Sequence, residues 1–167
     1  MNNAQPSASV PAAASADTPP APVGPFADYV CFSIYAAGLA FNRLYKHVLD
    51  RFGLTYPQYL VLVALRARDD RTVGELCELL FLESNTLTPL LKRLEAAGLV
   101  TRTRDKADER VVRIGLSAQG RTLAADIACV PADMVAAAGT SEQDLAALPH
   151  LIRSLDSLAE TLRKALP

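Results

Sequence analysis

Between residues 99 and 116 the apolar period of this chain shortens from helical to alternating, and no other feature constrains the fold as much. Two short runs, 99–104 and 111–116, are rich in Val, Ile and Thr, and the charged loop Asp105-Lys106-Ala107-Asp108-Glu109-Arg110 joins them. That pattern predicts one hairpin. Everything around it reads as helix. Residues 26–50 predict a long first helix carrying Phe32, Tyr35 and Leu39 beside an Ala-rich face, weakened at Gly38 and stopped by Phe52-Gly53. Thr55 caps a second helix running to about residue 68, with Pro57 in its first turn. Arg68-Asp69-Asp70-Arg71 is a polar turn. Thr72 and Glu75 then form a capping box that opens a short third helix through Leu80.

Ser84 or Asn85 caps a fourth helix that reaches Ala97 and is stopped by Gly98, with Pro89 removing one backbone donor inside it. After the hairpin, Ser117 caps a fifth helix expected to bend or stop near Pro131. Ser141 caps a last one with Leu145, Leu148, Leu151, Ile152, Leu155, Leu158 and Leu162 at three- and four-residue spacing. The expected fold is mainly α with a small β-hairpin wing, a winged helix-turn-helix over 54–117 within a single domain spanning 26–167. The flanking helices, 26–52 and 118–166, have no partner layer in so short a chain, so a homodimer is expected to bury them. Residues 1–25 hold six of the eleven prolines and one charge, Asp17, and are expected to be a disordered tail.

Composition narrows the function. No apolar run reaches the roughly 18 residues that a membrane span needs, and the N-terminal stretch lacks the basic and apolar regions of a secretion signal. A cytoplasmic protein is expected. Cys31, Cys77 and Cys129 are odd in number and lack paired short spacing, which argues against a disulfide framework or a zinc site. Cys77, within Leu76-Cys77-Glu78-Leu79, is expected in the core. His47 and His150 have no partner motif, so neither metal, cofactor nor acid–base chemistry is expected. Formal net charge is −1, yet residues 84–121 carry eight basic groups against four acidic ones. A module at +4 on a body at −5 is the charge distribution of a compact reader of double-stranded DNA.

Within that module, the fourth helix would present Ser84, Asn85, Thr86 and Thr88 to bases and phosphates, with Lys92 and Arg93 further along meeting the backbone. Arg104 and Arg110 belong to the wing, and Arg110 stands where a hairpin tip can enter a narrow minor groove. Asp108 is expected to hold Arg104 or Arg110 in position.

Asp108-Glu109-Arg110, Leu116-Ser117 and Gly120 resemble the wing signature D-x-R…L-[ST]-x-x-G of the MarR family of regulators. A closer resemblance is to its OhrR branch, the organic-hydroperoxide-sensing repressors. It rests on Val30-Cys31-Phe32-Ser33-Ile34-Tyr35-Ala36-Ala37, on Gly53-Leu54-Thr55-Tyr56-Pro57-Gln58-Tyr59-Leu60, on Phe81-Leu82, and on Leu87-Thr88-Pro89-Leu90-Leu91-Lys92-Arg93-Leu94-Glu95. The resemblance implies a MarR-like dimer that represses by binding its operator and lets go when one cysteine is oxidised. Cys31 matches that cysteine, and Tyr45 and Tyr56 match the tyrosines that hydrogen-bond it.

If Asp28 caps the first helix, Cys31 is its third residue, where free amides and the helix dipole favour negative charge on sulfur. Tyr45 lies fourteen residues along the same helix, about 21 Å away at 1.5 Å per residue, so a tyrosine contact has to come from the second subunit. Some members of the branch carry a second, resolving cysteine, where Ala136 stands here. Cys129, seven residues earlier, is the candidate for that role, and a small cellular thiol is the alternative. Two rivals use the same residues. One is a MarR-type regulator responding to a small phenolic or aromatic ligand lined by Tyr45, Tyr56 and Tyr59. The other is a thiol peroxidase built on Cys31, which leaves the basic wing without a purpose and is therefore set aside.

Overall fold

The computed structural model describes residues 25–26, 29–105 and 107–165, so the tail and the Asp28 cap lie largely or wholly outside the described residues. Seven α-helices and three strands run in the order α1 (Val30–Leu49), α2 (Tyr56–Ala67), β1 (Arg71–Thr72), α3 (Val73–Leu80), α4 (Ser84–Ala96), β2 (Val100–Arg104), β3 (Val112–Leu116), α5 (Ala118–Asp126), α6 (Val130–Ala138) and α7 (Glu142–Lys164). The chain divides into two compact units, Met1–Ala37 and Gly38–Pro167, the boundary falling inside α1. Among the described residues no helix is long and apolar enough to cross a membrane.

Local chemistry accounts for most of the element ends. The Thr55 amide donates to Gln58 Oε1 (2.8 Å) at the start of α2, where Pro57 needs no donor. Thr72 and Glu75 make the reciprocal capping box that opens α3. Ser141 and Asp144 do the same for α7. Gly53, Gly98 and Gly139 end their helices in the left-handed region (φ 63°, 71° and 63°).

Two expectations are corrected, and the break near Pro131 is found as expected. The polar turn before α3 gives up Arg71 and Thr72 to a third strand, which pairs with β3 in the register Arg71↔Ile114 and Thr72↔Arg113. The sheet is antiparallel in the order β1-β3-β2, so the wing hairpin is anchored on the helix-turn-helix rather than hanging from it. The cap of α4 is Glu83, and Ser84 is its first helical residue. The break after α5 is a single 3₁₀ turn, Ile127–Cys129, one turn ahead of Pro131, which sits in the first turn of α6. Pro131 clashes with a helical carbonyl four residues back, and that carbonyl belongs to Ile127, so the helix has to change course there.

The core of the second unit is aliphatic. Leu49, Leu62, Leu65, Leu76, Leu87, Leu91, Leu94, Ile114, Ile127 and Val130 are fully shielded from solvent. Leu87, Leu91 and Leu94 recur at helical spacing and fix which face of α4 points outward. Cys77 is half-buried and packs against this core. Among the described residues, other faces stay largely uncovered. The last helix, α7, buries no residue and exposes Leu151, Ile152, Leu155 and Leu162. In the first unit Tyr29, Val30, Ile34 and Tyr35 are exposed, while the Phe26 and Phe32 rings stack at 4.8 Å.

Candidate nucleic-acid interface and redox residues

The outward face of α4 carries the expected readers. Ser84, Asn85, Thr86, Lys92 and Arg93 are exposed and Thr88 is half-buried. At its first turn Asn85 Nδ2 donates to Glu83 Oε2 (3.0 Å), and Thr86 Oγ1 donates to Asn85 Oδ1 (3.1 Å). These small polar groups are thus held in an ordered row before any ligand arrives. Cys77 Sγ stands 3.5 Å from Ser84 Oγ, linking the two helices of the motif.

In the wing, Asp108 holds Arg110 and not Arg104. Its Oδ1 accepts from both the Arg110 amide (3.0 Å) and Nε (3.1 Å), while Oδ2 accepts from Nη2 (3.2 Å). The Asp108 carboxyl is held below the usual range, first by the Arg110 side chain and then by its amide. Arg110 remains 91% exposed, so the fork orients the guanidinium without shielding it. Arg104 is exposed on β2.

Residues that sequence reasoning passed over fix the root of the wing. Arg113 on β3 donates to Asp70 (Nε to Oδ2, 2.9 Å) and to Asp105 (Nη1 to Oδ2, 3.2 Å). Asp69 Oδ1 accepts from the Leu116 amide at 2.8 Å. Asp70 adopts a left-handed conformation (φ 57°), which a short polar side chain tolerates better than most. The pair Asp69-Asp70 read only as a turn because its partners lie more than forty residues away.

Cys31 belongs to the first unit. It is exposed and is the second residue of α1, one position earlier than expected, in a first turn that carries no acidic residue. Tyr45 and Tyr56 belong to the second unit, where their ring centroids are 4.3 Å apart and Phe41 lies 4.6 Å from Tyr45. Tyr59 completes the cluster, 5.9 Å from Tyr45. Burial, then the neighbouring phenols of Tyr56 and Tyr59, pushes Tyr45 up to about 12, and burial also raises Tyr56 and Tyr59. All three are therefore protonated donors at neutral pH.

A phenol whose folded pKa exceeds its unfolded value of 10.0 contributes stability below that pH and loses it as pH rises to about 12. Ultraviolet titration of the folded protein is expected to show late-ionising phenols, with the latest step missing in Tyr45→Phe. Normal titration of all tyrosines would contradict the packing.

Cys129 is exposed at the end of the 3₁₀ turn. Its Sγ accepts from Arg51 Nη2 (3.0 Å), and the same guanidinium is paired with Asp133. The thiol is nevertheless pushed up, first by its hydrogen bond with Asp133 and then by burial, which together outweigh Arg51. It is therefore a poor source of thiolate at neutral pH. His47 and His150 are exposed, and no group of three metal-ligating side chains stands together among the described residues.

Comparison with known proteins agrees with this architecture. A family model described as transcriptional regulator SarA/Rot matches residues 43–127. The HTH-type transcriptional regulator TtmR of Methylorubrum extorquens (strain PA1) is 46% identical over 130 residues, 77% of this chain and 67% of that protein. The organic hydroperoxide resistance transcriptional regulator of Bacillus subtilis (strain 168) is 40% identical over 135 residues, 81% of this chain and 90% of that one. Among solved structures, reduced AbfR bound to DNA superposes with a TM-score of 0.70 at 33% identity, covering 85% of this chain and 95% of that chain. Placed beside the α4 face and the anchored wing, these likenesses show the family: the chain belongs to the MarR family of winged helix-turn-helix, DNA-binding transcriptional regulators, in its OhrR branch.

Proposed function

We propose that this regulator is a homodimeric repressor that grips its operator when reduced and releases it when an organic hydroperoxide oxidises Cys31. The observation that carries the reading is the exposed Cys31 thiol in the first, acid-free turn of a 20-residue helix. The thiolate attacks the outer peroxide oxygen and the O–O bond breaks. The alkoxide takes up a proton and leaves as an alcohol, and sulfur is oxidised by two electrons to sulfenic acid.

Exposed apolar faces on α1 and α7 favour a second copy as their cover. In such a dimer Tyr45 and Tyr56 of the other copy can donate to the Cys31 sulfur, and oxidation breaks those bonds at the seam. Two recognition helices about one DNA turn apart then lose their fit to a two-fold operator. The raised pKa of Cys129 favours capture of the sulfenic acid by a small cellular thiol, which forms a mixed disulfide and releases water.

The test uses reduced protein and a duplex selected from a random pool. One equivalent of cumene hydroperoxide is expected to weaken binding about 5–150-fold as one oxygen is added at Cys31, or one thiol if a small thiol is present. Release with Cys31 unmodified by peptide mass spectrometry would sink the reading.

A further inference from the structure

A cleft of about 530 Å³ lies where the starts of α3 and α4 face the wing. Thr72, Ser84, Thr88, Arg102 and Arg110 line it, together with Val73, Gly74, Val111 and Val112. Two arginines and three hydroxyl-bearing residues are among those lining it, and no lining residue is acidic. Arg102 is the unusual member. Its side chain is only 23% exposed, yet its one ion pair among the described residues is a long one, Nη1 to Glu95 Oε2 at 3.4 Å. Its Nε is buried without a hydrogen-bond partner among the described residues. A buried, unmet donor on a charged group is costly unless something else supplies the acceptor. Arg102 sits on β2, in register with Ile114 of the central strand, so the fold fixes its position between recognition helix and wing.

From this we infer that the cleft is a phosphate seat, and that Arg102 clamps one phosphate of the operator backbone between the groove-reading helix and the minor-groove arginine. The inference rests on the DNA-binding reading of this chain and adds to it a contact that carries no sequence information but sets register. A guanidinium meets phosphate with two parallel donors, and hydroxyls at Ser84 and Thr88 complete an oxygen-binding wall. Glu95, at 3.4 Å and partly exposed, is a weak competitor for the guanidinium rather than its support.

The experiment measures binding of the selected duplex by full-length protein across a salt series. Arg102→Met is expected to weaken affinity about tenfold, equally for operator and random duplex, and to lower the slope of log K against log salt by about one. Arg102→Lys, which keeps the charge, is expected to retain the slope and most of the affinity, and its melting temperature guards against misfolding. Glu95→Gln frees the guanidinium and is expected to bind as tightly as wild type or tighter. If Glu95→Gln weakens binding as much as Arg102→Met does, Arg102 serves only to brace α4, and the phosphate seat is wrong.

Inorganic phosphate alone is expected to stabilise the protein no more than chloride at matched ionic strength. Saturable stabilisation removed by Arg102→Met would instead assign the cleft to a free phosphate compound and overturn the DNA contact. Wild type that binds duplex, with Arg102→Met unchanged in affinity and slope, sinks the cleft alone. Wild type that retains no duplex sinks the DNA-binding reading with it.

Discussion

Cys31→Ser is expected to bind operator as the reduced wild type does and to stay bound in the presence of organic hydroperoxide. Cys31 is exposed, and serine changes little of its volume, so the reduced complex should shift by under ~0.5 kcal/mol, about twofold in affinity. The oxidised response is another matter. Coupling between a modified site and a distant ligand is typically ~1–3 kcal/mol, about 5–150-fold in affinity. Oxidised wild type should therefore lose operator affinity by a factor in that range, and Cys31→Ser should lose none. Fluorescence anisotropy with a labelled duplex, before and after one equivalent of hydroperoxide, reads both numbers. Cys129→Ser is the control: with a small thiol supplied, it should release DNA like wild type, because its raised pKa makes it a slow competitor for the sulfenic acid. Hydroperoxide-driven release that persists in Cys31→Ser would move the sensor elsewhere in the chain.

How much of this site was legible in the sequence depends on how far its causes reach along the chain. Caps are local, so Thr72 with Glu75 and Ser141 with Asp144 announced their helices within four residues. The left-handed helix ends at Gly53 and Gly98 were equally local. A two-residue strand has no such signature. Arg71 and Thr72 become β1 only because β3 offers a free edge at Ile114 and Arg113. Glu83 lost the cap assignment on preference alone, since Ser84 and Asn85 are better capping types. Its own side chain turns to Asn85 rather than to the helix amides.

The break before α6 was legible near Pro131, and it falls just ahead of that residue because a proline acts on the carbonyl behind it. Arg113, Arg102 and the Arg51–Cys129–Asp133 group were invisible for one shared reason: each is defined by partners brought near only by folding. The outward face of α4 was legible because Leu87, Leu91 and Leu94 point inward at helical spacing and leave most of the rest exposed.

Gly120→Ala is expected to be the most damaging single methyl in the chain. The glycine closes the Leu116-Ser117…Gly120 part of the wing signature, and its place in the fold supplies the reason. A Cβ built there would lie 1.8 Å from the Leu99 carbonyl oxygen and 2.8 Å from its carbon. Both are backbone atoms, so no side chain can swing aside to relieve the contact.

Nor is that carbonyl free to move. Leu99 O accepts from the Ser117 amide (3.1 Å), Gly98 O accepts from Ser117 Oγ, and Ser117 Oγ accepts in turn from the Gly120 amide (2.9 Å). Relief means separating the first turn of α5 from the residue that leads into β2, which opens the wing root. Overpacking a close-packed contact costs about 1–3 kcal/mol even where neighbours can adjust, and here they cannot, so about 3 kcal/mol or more is expected. That is a large share of a typical margin of ~5–15 kcal/mol and should lower the melting temperature on the order of 10 °C.

Gly139→Ala is the matched control. Unlike Gly120 it lies in the left-handed region (φ +63°), but it has nothing within 4 Å of the added carbon, so only the conformational term, about 1 kcal/mol, applies. A Gly120→Ala protein that melts no lower than Gly139→Ala would mean the backbones do not approach this closely. A much lower melting point, with weakened operator binding in the folded fraction, would make the glycine a steric requirement of the joint between wing and α5.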